Sequence, residues 1–142
     1  MPKQKHTSLW PPSLKGAQGF DIKGFLQTQA RDLKRLVNGA FDVVIESRVV
    51  ESLFIYNFTI ALPRRDYRYQ LFSIRMIGDD FPARIVAPHL PEPRQVIPVS
   101  DKEELEQSLR LLFHDPSTTK IVVALASEGR EPDDEASAAA SG

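Results

Sequence analysis

The sequence predicts an α+β domain in which helices pack on one face of an antiparallel sheet. Apolar residues first recur at helical spacing, then alternate with a period of two in four segments joined by short turns, and finally return to helical spacing. Short connections favour an antiparallel meander, because parallel neighbours need long crossovers. The predicted order is therefore one helix, four strands, a proline-rich crossing and two C-terminal helices.

The first helix is predicted from an apolar stripe of 3.6-residue period. Asp21 can cap its start, and Asn38-Gly39 supplies the left-handed residues that commonly end a helix. The stripe comprises Ile22, Phe25, Leu26, Ala30, Leu33, Leu36 and Val37.

Four strands are predicted from period-two alternation and from β-branched and aromatic content. The turns between them are placed near 49–52, at Pro63–Asp66 and at Gly78–Asp80. The strands cover Phe41–Glu46, Leu53–Leu62, Tyr67–Ile77 and Phe81–Ala87.

The C-terminal part is predicted to begin with a stiff crossing over 88–98, whose four prolines are incompatible with a central strand. Ser100–Glu103 forms a capping box for a helix with Leu105, Leu109, Leu112 and Phe113 on its buried face. A third helix is predicted over Pro116–Ser127, with Ile121, Val122 and Leu125 inward. A strand over Thr118–Ala124 is the alternative, because the segment is β-branched.

Composition bounds the class of protein. With 142 residues, 42% of them hydrophobic, one core is expected within residues 21–128. Residues 1–20 are predicted to form a flexible arm, and residues 129–142 a disordered acidic and Ala-Ser tail. The chain contains no cysteine, signal peptide or membrane-length apolar run, so a soluble, cytoplasmic protein without membrane contact is expected.

Charge is distributed unevenly. The formal net charge is −1, but residues 1–75 hold twelve Lys/Arg against six Asp/Glu, whereas residues 76–142 hold six against thirteen. Part of the acidic excess belongs to the predicted tail. A basic surface in the first half of the chain is therefore one interpretation of this asymmetry.

No motif in the sequence indicates a specific catalytic chemistry. There is no Gly-x-Ser-x-Gly frame and no phosphate-binding glycine loop, and the three histidines, His6, His89 and His114, are dispersed. The remaining catalytic hypothesis is a metal-dependent hydrolase or nuclease with Asp42, Glu46 and Glu51 around a divalent cation. Arg48 could complete that site or pair with Glu46. The absence of such motifs favours, without deciding it, a protein that is not an enzyme and has no cofactor.

The most distinctive local feature is a basic and aromatic hairpin: Arg64, Arg65, Tyr67, Arg68 and Tyr69 lie at and just beyond a predicted turn. Arg and Tyr are frequent anchors of protein interfaces. We therefore expect a non-catalytic module that contacts a protein partner, or a second copy of itself, through this hairpin and the exposed sheet face.

A nucleic-acid-binding protein is the alternative, because arginine neutralises phosphates and tyrosine stacks on unpaired bases. Arg31, Lys34 and Arg35 of the first helix would extend the basic surface. An isoelectric point near 6.3 weighs against this alternative.

Overall fold

The computed structural model describes residues 21–78 and 80–141, with residues 131–141 described by their backbone. The predicted arm at 1–20 and Asp79 of the third predicted turn lie outside this range. The elements are α1 (Ile22–Leu36), β1 (Asp42–Val50), β2 (Leu53–Leu62), β3 (Tyr67–Ile77), β4 (Ala83–Val86), β5 (Val96–Val99), α2 (Lys102–His114) and α3 (Pro116–Ser141).

The α+β class is confirmed, and the sheet is an antiparallel meander with strand order β1-β2-β3-β4-β5. The short turn at Glu51 and Ser52 joins β1 to β2, with Glu51 at a φ of 58°. A single turn of 3-10 helix at Pro63–Arg65 joins β2 to β3, and Asp66 closes it in the left-handed region. The local connections thus produce the predicted neighbour pairing.

The sheet has five strands rather than four, because Val96–Val99 of the proline-rich crossing pairs with β4. The sequence predicted a surface crossing there, because its prolines are incompatible with a central strand. Pro98 is tolerated because β5 is an edge strand, where a residue without an N–H group need not complete a ladder on both sides.

A β-bulge in β3 changes which residues face the helices. Phe58 of β2 pairs with Phe72, but the next residue, Thr59, pairs with Gln70, so that Leu71 is the extra residue. Leu71 and Phe72 are both buried although they are adjacent in the chain. A bulge places two residues opposite one and so shifts the phase of the side-chain alternation.

The ends of α1 follow the sequence signals. The Asp21 carboxylate accepts a hydrogen bond from the backbone N–H of Gly24 at 3.0 Å. Asn38 and Gly39 both have positive φ, and Gly39 N–H donates to the Lys34 carbonyl at 2.9 Å.

The capping box of α2 lies one residue later than predicted. Asp101 is the N-cap and accepts from Glu104 N–H at 2.9 Å, while the Glu104 carboxylate accepts from Ser100 N–H at 2.6 Å. Both Ser100 and Asp101 are good capping residues, and the helix uses the one that brings Leu105 and Leu109 into the core.

The third helix is confirmed and begins at Pro116, with Asp115 accepting from Ser117 N–H at 2.9 Å. It is longer than the predicted 116–127: the backbone of residues 129–141, predicted to be disordered, continues the helix. This segment contains alanine and glutamate, which are strong helix formers, and also Gly129 and Pro132, which are the weakest.

One cluster of buried side chains holds the helices against one face of the sheet. Phe58 and Phe72 stack with ring centroids 4.8 Å apart, and Phe113 of α2 lies 5.8 Å from Phe72. Leu26 of α1, Leu109 of α2 and Leu125 of α3 all belong to this cluster. The opposite face, called the open face below, carries the alternate residues of each strand.

Candidate functional site

The predicted hairpin does not present its arginines and tyrosines on one surface. In β3, Tyr67 and Tyr69 pair with Leu62 and Ile60 and lie on the helix side, whereas Arg68 pairs with Ala61 on the open face. Period-two alternation requires this separation. Arg68 and the two tyrosines therefore lie on opposite faces of the sheet, and Tyr67 is 46% exposed at the start of β3.

Arg68 crosses the open face to reach an acid on β1. Its guanidinium donates to Glu46 at 2.7 Å. Glu46 lies on the far side of β2 and four residues along the register, since Arg68 pairs with Ala61 and Glu46 with Asn57. Thr59, which lies between the two in register, is only 4% exposed. Glu46 thus pairs with Arg68 rather than with Arg48, the partner that the sequence suggested.

The two turn arginines lie where the end of α1, the β2–β3 turn and α3 meet around a cavity of about 580 Å³. Arg65 Nε lies 3.3 Å from the Glu128 carboxylate and donates to the Glu128 carbonyl at 3.4 Å. Arg64 lines the same cavity, as does Asp42. This end of the molecule therefore holds acids as well as arginines.

Three basic residues of α1 also have partners nearby in the same chain. Lys34 lies 2.8 Å from Asp42 and Arg35 lies 3.5 Å from Asp32, while Arg31 donates to the Thr28 hydroxyl at 3.3 Å. Lys34 reaches the cavity end of the molecule through Asp42. Arg31 and Arg35 do not line that cavity, so the structure only partly joins α1 to the hairpin.

The three carboxylates considered for a metal ion are not gathered. Asp42 and Glu46 are four residues apart on one strand, roughly 13 Å at 3.3 Å per residue. Asp42 forms an ion pair with Lys34 and Glu46 forms one with Arg68, and Glu51 lies in the turn between β1 and β2. Within residues 21–78 and 80–141, no group of three His, Asp or Glu side chains could hold a metal ion.

The two described histidines have structural surroundings. His114 Nδ1 lies 2.8 Å from the Arg110 carbonyl, so its N–H satisfies a terminal carbonyl of α2. His89 Nε2 lies 2.7 Å from the Thr118 hydroxyl, and the pKa of His89 is lowered chiefly because the ring is partly buried. His89 and the Arg94–Asp115 ion pair at 2.8 Å fasten the crossing to the start of α3.

An apolar cleft of about 330 Å³ lies between the helices on the helix side of the sheet. Its floor includes Phe58 and Leu71, and Phe113 and Val122 contribute to its walls. No sequence pattern indicates this cleft, because its walls come from α1, β2, β3, α2 and α3, which are distant in the chain.

A row of arginines crosses the open face, and sequence reasoning missed it. Arg48 of β1 pairs with Ile55, Ile55 with Arg75, and Arg75 with Arg84 of β4. Directly opposite residues have Cβ atoms about 4.5–5.5 Å apart, so Arg75 and Arg84 are neighbours with like charge. In the described part of the chain, none of the three arginines forms an ion pair, although Arg75 Nε donates to the Ser73 hydroxyl at 3.4 Å.

In the sequence, the only sign of this row is that each arginine stands between apolar residues of a strand. That signal could not show the shared register, because the bulge at Leu71 shifts the phase of β3. We call Arg48, Arg75 and Arg84 the arginine row.

Comparison with known proteins gives no relative: no family model, no curated protein and no solved structure matches the chain. Among the described residues, no helix is both long enough and apolar enough to cross a membrane.

Proposed function

We propose that this chain is a non-catalytic binding module that holds an acidic segment of a partner protein on the open face of its sheet. The observation that carries the proposal is Arg75 directly opposite Arg84, in a row with Arg48 that contains no carboxylate. Like charges directly opposite each other destabilise a sheet. An anion between them converts that cost into binding energy.

Arginine suits this role because its guanidinium forms paired, charge-assisted hydrogen bonds with a carboxylate. Arg75 and Arg84 provide two adjacent guanidiniums, and Arg48 provides a third two strands from Arg75, roughly 10 Å away. Arg48 and Arg84 are exposed and Arg75 is half-buried. Carboxylates on an extended or helical acidic segment can therefore reach all three.

The surroundings of the arginine row favour a protein over a nucleic acid. Val86, partly exposed, lies two residues after Arg84 on β4, whereas Ile55, between Arg48 and Arg75, is only 6% exposed. Base stacking needs aromatic rings, but Tyr56, Phe58 and Phe72 face the helices. An acidic segment with apolar residues matches this face better than a phosphate backbone with bases.

The residues predicted from the sequence take a smaller part in this proposal. Arg68, Arg65, Lys34 and Arg35 already hold acids of the same chain. We expect them, with Arg31, Arg64, Tyr67 and Tyr69, to extend the contact rather than to anchor it. Exchange of their internal ion pairs for external ones would yield little net energy, because exposed pairs contribute about 0–1 kcal/mol.

The test is fluorescence anisotropy of a labelled peptide of alternating glutamate and valine, with a lysine–valine peptide and a single-stranded RNA as comparison probes. The acidic peptide should bind and the other two should not. Arg75→Gln/Arg84→Gln should weaken binding by about tenfold to a hundredfold, since hydrogen bonds to charged groups contribute about 1.5–3 kcal/mol.

Arg110→Gln is the matched control, since Arg110 is an exposed arginine on α2 at a distance from the open face. It should bind like the wild type. Equal binding by the double variant would refute the proposal, and selective binding of the RNA would replace it with the nucleic-acid alternative.

A further inference from the structure

The two edges of the sheet differ in how they are protected. β5 is four residues long and contains Pro98, two features that discourage further strand pairing. β1 is nine residues long and contains neither proline nor bulge. Its outer backbone groups have no strand partner among the described residues, because β1 is the first strand in the sheet order.

β1 also exposes apolar side chains. Val49 is 55% exposed and Val50 is 47% exposed, although both belong to a regular strand that pairs with β2 over its full length. A long edge with β-branched residues is a template for pairing with another strand. The question is which strand it fits.

The sequence of β1 is complementary to itself when antiparallel. If two copies pair with Ser47 opposite Ser47, then Glu46 of each copy lies opposite Arg48 of the other. Ile45 then lies opposite Val49, and Val44 opposite Val50. In an antiparallel pair, opposite residues share a face. This register therefore places each Glu46 beside an Arg48 of opposite charge on the open face, and it keeps the helices of both copies on the same side of the sheet.

Neighbouring registers are worse. A shift of the centre by one residue places Glu46 opposite Glu46 or Arg48 opposite Arg48, and like charges directly opposite are destabilising. Centring on Ile45 places Arg48 opposite Asp42 and leaves Val49 and Val50 outside the paired segment. Existing ion pairs do not separate the two registers, because Asp42 pairs with Lys34 and Glu46 pairs with Arg68 within one chain. Only the Ser47-centred register covers both exposed valines and matches both charges.

We propose that the chain forms a two-fold symmetric dimer through antiparallel pairing of β1 with β1, centred on Ser47, which makes a continuous ten-stranded sheet from two five-stranded ones. The inference does not rest on the proposed function, since its basis is the edge of β1. The two share Arg48, which pairs with Glu46 of the second copy in the dimer and leaves Arg75 and Arg84 to hold the acidic segment. A closed pair also removes the exposed edge, which is a general hazard for aggregation.

Sedimentation analysis of the full chain measures the assembly directly. The expected result is a species of twice the 16.0 kDa chain mass. Arg48→Glu places two acids opposite each other twice, and should raise the dimer dissociation constant by about tenfold or more. The double variant Glu46→Arg/Arg48→Glu restores complementarity and should restore the dimer.

Cysteine cross-linking tests the register, because the chain has no cysteine and a single introduced thiol is unambiguous. Ser47→Cys brings two thiols opposite each other, within the Cα separation of about 4.4–6.8 Å that a disulfide accepts. Mild oxidation should convert it to a covalent dimer. Val49→Cys, whose own copy lies four residues away along the pair, and Leu111→Cys on the exposed face of α2 should not cross-link.

Two results would overturn the proposal. One is a wild-type chain that stays at the monomer mass up to the highest concentration at which it remains dissolved. The other is a dimer in which Val49→Cys or Leu111→Cys cross-links as well as Ser47→Cys. Peptide binding by Arg75→Gln/Arg84→Gln is measured separately, so failure of either proposal is seen without the other.

Discussion

Arg75 and Arg84 lie directly opposite each other in β3 and β4. In a sheet, opposite residues contribute about 0.2–1 kcal/mol when they attract and cost stability when their charges are alike. The arrangement is therefore a local conflict between stability and surface charge, of the kind that often marks a binding surface.

Replacing one of these arginines should stabilise the fold. Arg84→Glu turns a repulsive pair into an attractive one and should raise the free energy of unfolding by about 0.5–1 kcal/mol. Arg84→Gln should give a smaller increase. Urea denaturation of both variants measures the effect, with Arg110→Gln as a control that should change little; a loss of stability in Arg84→Glu would show that the arginine contributes to packing instead.

The position of the α2 cap can be tested by a pair of matched substitutions. Asp101→Ala should lower the free energy of unfolding by about 1 kcal/mol, because the backbone N–H of Glu104 loses its acceptor. Ser100→Ala should have almost no effect, since Ser100 contributes its backbone N–H to the box and not its side chain. If urea denaturation shows a larger loss of stability for Ser100→Ala than for Asp101→Ala, the N-cap is Ser100, as the sequence predicted.

The bulge makes Leu71 a core residue. Leu71 is 1% exposed, so Leu71→Ala should lower the free energy of unfolding by about 2–5 kcal/mol through lost burial and the cavity left behind. Ile77→Ala at the end of the same strand, where the side chain is 72% exposed, is the control and should cost far less. Comparable losses at the two positions would contradict the bulged register.

His89 should make stability depend on pH. Burial, the main cause, lowers its pKa below the ordinary value of about 6.5, against an opposing effect of Asp115. As pH falls below about 6.5, the unfolded chain therefore takes up a proton before the folded chain does, and stability declines until the lower folded pKa is reached. Above about pH 7 the contribution is constant.

The measurement is the urea midpoint of wild type and His89→Gln between neutral pH and mildly acidic pH. The wild type should lose more stability over this interval than the variant. Parallel curves for wild type and His89→Gln would exclude His89 as the source.

The sequence by itself determined the local elements. Asp21, Asn38 and Gly39 set the limits of α1, and the bounds of β2 and β3 follow from alternation between short turns. These features depend on backbone preferences and on neighbours within a few residues, which a sequence displays directly.

Only the tertiary structure decided what depends on register and on distant partners. The bulge at Leu71 shifted the phase of β3, so that Arg75 shares the open face with Arg68 and lies in register with Ile55, and pairing with β4 turned a proline-containing segment into an edge strand. Whether a charge is neutralised was also decided there, as when Arg68 reaches Glu46 across β2. A side-chain period of two makes each face sensitive to a single extra residue, so a surface built from several strands cannot be deduced from any one of them.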